Sequence, residues 1–360
     1  MLIYILLVLT ILILNIERKN GRISDRTYCK IICIAFILIT GLRHNDVGSD
    51  TTVYYNGFNN GIGLSLSSVL ASHEDKGFYF IWWLIQNYVG KFEILTVLIA
   101  CVFYIPVTTL IYRYSDDYGM SFLSLMAFNF FQFSMTGMRQ TMALGFTALV
   151  LLELLKDKTN LIKLVFFIAL GISMHRSCWI ILLYLLIYWI STKVLNRKAI
   201  WLTLLIVPIV YVLRTDIVVL GINLYDSEKI IANEISGGGG LTTYLVYILL
   251  LIIGFFERDN YFLDDYGGIV KRASFDVLVM IVGTSLLGLV MVESVFFRVA
   301  WYFSIYLVIY LPRLVEKFST DGSTKGIASV VVYVMLLIMY FVFTKGSATV
   351  LPYKFFWQIA

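Results

Sequence analysis

The chain has 360 residues, 60% of them hydrophobic and only 14% charged, with a mean hydropathy of +0.86. Soluble domains run near a quarter charged, and no soluble core hides this much apolar surface, so a wholly soluble fold is excluded and lipid is the solvent. The net charge of +5 suits a membrane protein with basic loops and is no evidence for a nucleic-acid partner.

Repeated apolar runs separated by short charged clusters predict an all-α polytopic membrane protein, a single transmembrane domain over 1–360 with about twelve spans. The first run, 1–16, has no basic residue before it and no small-residue cleavage site after it, so a retained span is expected rather than a signal peptide. A second span is expected at 28–42. Segment 77–90, GFYFIWWLIQNYVG, is apolar but short and contains Gln86 and Asn87. Counted as a span it would reverse every later basic loop, so it is expected as a short re-entrant or interfacial helix seated by Tyr79, Trp82, Trp83 and Tyr88. Further spans are expected near 93–112, 119–135, 140–155, 161–174, 177–192, 199–213, 241–256, 274–292, 296–311 and 327–343. Several fall short of the ~20 residues a straight span needs and must borrow flanking polar residues or replace lipid with protein. Cys29, Cys33, Cys101 and Cys178 lie in apolar runs without metal-type spacing and read as packing residues.

Lys and Arg gather at Arg18 to Lys30, Arg113, Lys156 to Lys163, Lys193 to Lys198, Arg258 to Arg272 and Arg313 to Lys325, which hold most of the 28 basic residues and mark the cytoplasmic side. The polar stretch RHNDVGSDTTVYY, 43–55, then faces outward. HEDKGF (73–78), GMRQ (137–140), MHRS (174–177) and ESVFFR (293–298) also fall at outer ends of spans. The outer loops 43–92 and 214–240 are expected to shape the functional face, the second ending in SGGGG, which suits a hinge or lid.

Each candidate has a bland reading beside the functional one. Arg43 could be an interfacial anchor snorkelling to head groups. Arg139 stands in a tight outer turn where no anchor is needed, and Arg298 starts within an apolar run, where an unpaired charge costs a few kcal/mol. His175, a packing histidine or a general base, sits beside Arg176, whose charge disfavours imidazolium. Asp50 and Glu74 are helix caps, salt-bridge partners or acid–base groups. Tyr54, Gln140 and Trp301 are the candidate glycan contacts. No P-loop, dinucleotide fingerprint, nucleophile elbow or metal motif is present, so neither a metal nor a cofactor is expected. Arginine forks suit phosphate oxygens, and aromatic rings suit sugars. An outward anionic headgroup on a lipid tail satisfies these elements.

GLRHNDVGSDTTVYY, EDKGF, GMRQTMALG and SMHRS, in that order over roughly 41–178, make the chain resemble the EpsG-type family of exopolysaccharide, capsule and O-antigen polymerases, Wzy-like enzymes. The resemblance implies a GT-C-like helical fold in the bacterial inner membrane with its active site on the outer face. It also implies transfer of a growing glycan from undecaprenyl diphosphate to the next lipid-linked repeat unit. Arg43, Arg139 and Arg298 would then hold the diphosphate, with His175 as base and Asp50 or Glu74 as its substitute. Flippase and chain-length regulator proteins are the implied partners. A lipid-linked glycan transporter and an outer-face ligase or acyltransferase are the alternatives; a transporter usually places its polar groups nearer the midplane.

The sidedness has a direct check. With native cysteines replaced, an impermeant thiol reagent on intact cells is expected to label a cysteine at Ser49 and to spare one at Lys158. The opposite pattern inverts the topology.

Overall fold

The computed structural model describes residues 1–194, 199–225, 240–263, 269–293, 295–318, 322–346 and 350–358. Their regular structure is helical, with one isolated antiparallel bridge, Arg43 to Phe355. In chain order the α-helices are α1 (Leu2–Lys19), α2 (Asp25–Gly41), α3 (Thr51–Asn60), α4 (Leu66–Ala71), α5 (Lys76–Tyr88), α6 (Phe92–Tyr114), α7 (Tyr118–Ala127), α8 (Phe130–Ser134), α9 (Met138–Leu154) and α10 (Leu161–Met174). A 3-10 turn, Arg176–Ile181, leads to α11 (Leu182–Trp189) and a π turn, Ile190–Val194. Then come α12 (Ala199–Thr203), α13 (Ile206–Val212), α14 (Arg214–Tyr225), α15 (Leu241–Leu263), α16 (Ile269–Leu289), α17 (Val295–Ser304), α18 (Leu307–Phe318) and α19 (Gly322–Gly346).

Lipid as the solvent explains the surface of α1. Tyr4, Leu7, Val8, Ile11 and Asn15 are buried at helical spacing, while Leu2, Ile5, Leu6, Leu9, Ile13 and Ile16 are apolar and exposed. A soluble helix would be polar on that second face. By length and composition, two described helices can cross a membrane, Phe92–Tyr114 and Thr324–Val342, and up to four if two bent helix pairs each count as one. Shorter apolar helices of 10–17 residues include Tyr118–Ala127, Leu161–Met174 and Ser274–Leu289. The chain is thus helical and apolar as expected, but several expected spans are broken or short. The run at 119–135 divides between α7 and α8 at Asn129, which has a left-handed φ of 66°. Segment 77–90 lies mainly in the 13-residue α5, about 20 Å long at 1.5 Å per residue and too short for the hydrocarbon core.

The chain forms two compact units. The first comprises Met1–Trp179, Leu307–Glu316 and Asp321–Ala360. In it α6 packs against α2 and α9, and α10 packs against α9 and α5. Tyr104 links three elements: its hydroxyl meets Thr40 Oγ1 at 3.3 Å and Ser134 Oγ at 2.7 Å. Near one end, Arg18 pairs with Asp25 and Lys19 with Asp117, both at 3.0 Å. Asp117 also caps α7 by accepting the Met120 N–H and takes the Tyr333 hydroxyl at 2.6 Å. The second unit comprises Ile180–Tyr306 and Lys317–Thr320. There α16 packs against α13, α15 and α17, Tyr184 donates to the Tyr302 carbonyl at 2.7 Å, and buried Asp276 accepts the Tyr306 hydroxyl.

Arg43 is placed inside the first unit, not at its surface; it is 4% exposed. Its Nε donates to the Val47 carbonyl at 3.2 Å, Nη1 to the Thr40 carbonyl and Nη2 to Thr51 Oγ1 at 3.5 Å. The tail 350–358 lies beside it: His44 N–H donates to the Lys354 carbonyl, Phe356 N–H to the Leu42 carbonyl and the Tyr353 hydroxyl to the Ile39 carbonyl, at 2.8–2.9 Å. An arginine closing the carbonyl end of a helix complements the helix dipole and satisfies orphan acceptors. The expected diphosphate contact from Arg43 does not fit this burial, because its fork is already spent on the chain's own oxygens.

Arg43→Met is therefore expected to lower stability by about 1–3 kcal/mol per carbonyl left unsatisfied. Faster amide exchange at His44 and Phe356 in nanodisc-embedded protein checks this; exchange unchanged at both sites rules out the staple.

Candidate active site

The polar centre of the first unit is Asp75. It stands at the N-cap position of α5 but makes no side-chain cap bond. Its carboxylate, 2% exposed, is committed to residues far along the chain instead. Oδ2 accepts from Arg139 Nη1 at 2.7 Å and from His175 Nδ1 at 3.1 Å, and Oδ1 accepts from the Arg176 backbone N–H at 2.9 Å. Burial alone would raise the Asp75 pKa, but the hydrogen bond and charge interaction with His175, the Arg176 N–H and Arg139 outweigh it and hold the carboxyl below its ordinary value.

Local sequence explains how α5 and α10 meet there. Gly77 lies in the first turn of α5 so close to α10 that a β-carbon on it would stand 2.3 Å from Ser173 Oγ and 2.6 Å from Met174 Cε. Any side chain at position 77 would push the two helices apart and withdraw Asp75 from His175. On the other side, His175 ends α10 in an extended conformation, φ −157° and ψ 124°, before the chain re-enters a 3-10 turn at Arg176. That break turns both the imidazole and the Arg176 N–H toward one carboxylate.

A carboxylate oxygen can only accept, so in the neutral ring the proton sits on Nδ1 and Nε2 keeps its lone pair. This is the pairing by which an acid orients a histidine base. Arg176 does not leave its charge on the ring: its guanidinium pairs with Glu74.

Arg139, in the first turn of α9, bridges this centre to a cavity. Besides binding Asp75, its Nε donates to the Tyr54 hydroxyl at 3.0 Å. Burial pushes the Tyr54 phenol up, so it stays neutral as a partner. The cavity, about 410 Å³, is walled by α3, α4 and α5, with Asp50, Tyr54, His73, Tyr79, Trp82, Gln86 and Arg139 among its lining.

Of the residues singled out from the sequence, the fold thus gathers Asp50, Tyr54 and Arg139 at the cavity, His175 through Asp75, and Glu74 through Arg176. Gln140 is buried on α9 and is absent from the cavity wall, as is Arg43. Arg298 and Trp301 belong to the second unit, on α17; Arg298 is exposed, and Trp301 is buried with its ring edge-on to Phe297 at 5.0 Å. Residues 226–239, with most of SGGGG, lie outside the described residues. Sequence reasoning missed Asp75. It stopped at Glu74, one residue earlier, whose side chain is exposed. The usable signal was Gly77, since a glycine two residues past an acid at a helix start marks a close approach.

A depressed carboxyl stabilises the fold above its unfolded pKa, about 3.9, and that contribution is lost as pH falls through the lower folded value. Asp75→Asn is therefore expected to lower the melting temperature most near pH 6–7, the gap to wild type narrowing below about pH 4. A gap that is constant with pH rules out the charge contribution.

Among curated proteins and among solved structures, none matches the chain. The family model that does match is described as the EpsG family, and it covers residues 26–355, so both Asp75–Arg139–His175 and α17 fall within it. The chain belongs to the EpsG family, which points to a role in polysaccharide polymerisation at a membrane.

Proposed function

We propose that the protein polymerises lipid-linked oligosaccharide repeat units on the outer face of the bacterial inner membrane, moving the growing glycan from undecaprenyl diphosphate to the next lipid-linked unit in capsule, O-antigen or exopolysaccharide synthesis. The full chain would cross the membrane about twelve times in a GT-C-like arrangement, alongside a flippase and a chain-length regulator. The observation that carries the reading is the Asp75–His175 pair held next to Arg139 at a cavity wall. Family membership supports the glycan chemistry.

In this reaction the acceptor hydroxyl oxygen bonds to the anomeric carbon of the donor sugar while the bond from that carbon to the diphosphate oxygen breaks. The hydroxyl proton goes to His175 Nε2, and the bonding electron pair leaves with the diphosphate. Asp75 fixes the ring's tautomer and stabilises the imidazolium as it forms. Arg139 opposes the charge growing on the leaving group. Asp50, on the cavity wall, is the substitute base among the acids singled out from the sequence. Glu74, exposed and ion-paired with Arg176, holds the turn that carries Asp75.

His175→Gln keeps the size and a donor but cannot take a proton, so chain growth from lipid-linked units in nanodiscs is expected to slow about 10²–10⁴-fold. Arg139→Lys keeps the charge but loses the planar fork and is also expected to impair polymerisation. Donor binding should survive in His175→Gln. Full-length polymer from stably folded His175→Gln overturns the base assignment.

A further inference from the structure

The cavity beside Arg139 has a wall that diphosphate chemistry does not explain. Tyr54, Tyr79 and Trp82 give it aromatic surface, the Trp82 ring lying 5.7 Å from Tyr79 and 5.9 Å from Tyr54. Opposite, α3 contributes Gly57 and continues to Gly61, one helical turn apart. A β-carbon at 57 would sit 3.7 Å from Trp82 Cζ2, and one at 61 would sit 2.9 Å from Gln86 Nε2. The space above the indole and the amide therefore exists because those two positions have no side chain.

Gln86 is the second, independent observation. It is 3% exposed and lines the cavity. Its Nε2 donates to the Phe58 carbonyl, which fixes the amide's orientation, and its Oε1 is buried with no hydrogen-bond partner among the described residues. A buried acceptor without a donor is a standing cost to the folded protein unless something supplies the donor.

We propose that this cavity is a subsite for one uncharged, hydroxyl-bearing sugar ring of the lipid-linked unit, with Trp82 as its stacking face and Gln86 as the residue that reads a hydroxyl. The apolar face of a sugar ring packs on aromatic carbon, and its hydroxyls supply the donor that Gln86 Oε1 lacks. Asp50 on the same wall adds a second acceptor and disfavours a phosphate there. The single lining cation, among the described residues, is Arg139, whose charge is already matched by Asp75. The volume of about 410 Å³ falls within the roughly 300–1,000 Å³ of small-molecule sites. Placement in the reaction rests on the polymerase reading, because the cavity reaches His175 through consecutive hydrogen bonds of Arg139 and Asp75. Sugar binding itself does not.

The experiment separates the two. The probe is the repeat-unit oligosaccharide freed by mild acid from the lipid-linked intermediates of the native cell, carrying neither lipid nor diphosphate. Its affinity for full-length protein in nanodiscs is measured by calorimetry, with saturation-transfer NMR identifying the sugar protons in contact. Gln86→Met, without an acceptor, and Gly57→Leu, which fills the space over Trp82, are each expected to weaken binding about tenfold or more, the scale of a lost hydrogen bond. Gly57→Ala adds one methyl at ordinary contact distance and serves if the larger residue prevents folding. Undiminished binding by folded Gly57→Leu or Gly57→Ala together with Gln86→Met overturns the subsite, as does no binding by wild type. If His175→Gln still polymerises while the cavity variants lose the sugar, the catalytic reading fails and the subsite stands.

Discussion

A carboxylate cut off from solvent stays ionised only if the fold supplies the hydrogen bonds that water would have made. At Asp75 those donors come from three places: the guanidinium on α9, the imidazole at the end of α10 and the backbone N–H that follows it. Each donor alone is ordinary, but together they tie the start of α5 to both neighbouring helices. The tie constrains everything around it. Gly77 has to be small, α10 has to stop at His175, and Arg139 has to reach back from its first turn to span carboxylate and phenol. Moving any one of these by an ångström leaves a buried charge underpaid in hydrogen bonds.

The α3–α5 layer owes its shape to the same anchor. Asp75 sets the start of α5, and from there helical spacing carries Phe78, Trp82, Ile85 and Gln86 onto the buried face while Phe80, Tyr88 and Val89 stay exposed. Phe58 and Phe78 pack against Trp82, with ring centroids 5.6 and 5.9 Å away, so the indole beneath the cavity is held from both sides. A binding surface held this way is presented with little rotamer freedom left to lose on contact with a ligand.

Much of this was legible in the sequence, and the omissions have physical reasons. Composition and periodicity gave the helical, lipid-solvated chain, and the odd length and polar content of 77–90 marked α5 as something other than a span. The polar stretches did supply the cluster, since EDKGF, GMRQ and SMHRS contribute Asp75, Arg139 and His175. Burial was not legible. Glu74 and Asp75 are adjacent acids, and only the close approach of α5 to α10 turns one outward and the other inward. Arg43 and Arg139 also look alike in sequence, each beside the end of an apolar run. What separates them is tail 350–358, which covers Arg43 from some 300 residues away. Helix breaks were not legible from apolar runs, because residues such as Asn129 break a run geometrically without making it less apolar.

The charge balance at the centre constrains how the proposed reaction could use Arg139. At rest its positive charge faces Asp75, and Arg176 faces Glu74, so the group is close to neutral with a neutral His175. A leaving diphosphate meets no surplus cation until the chemistry starts. Proton transfer changes that. Once His175 takes the hydroxyl proton, Asp75 has two cations competing for one carboxylate, and its hold on each weakens relative to a fully negative diphosphate nearby. Arg139 is then freer to turn its remaining donors to the leaving oxygen at the stage when charge appears there. Stabilisation that grows with the transition state rather than with substrate binding is what accelerates a reaction. In the proposed reaction the acid between the arginine and the histidine would do more than orient: it would couple the proton's arrival to the release of the cation.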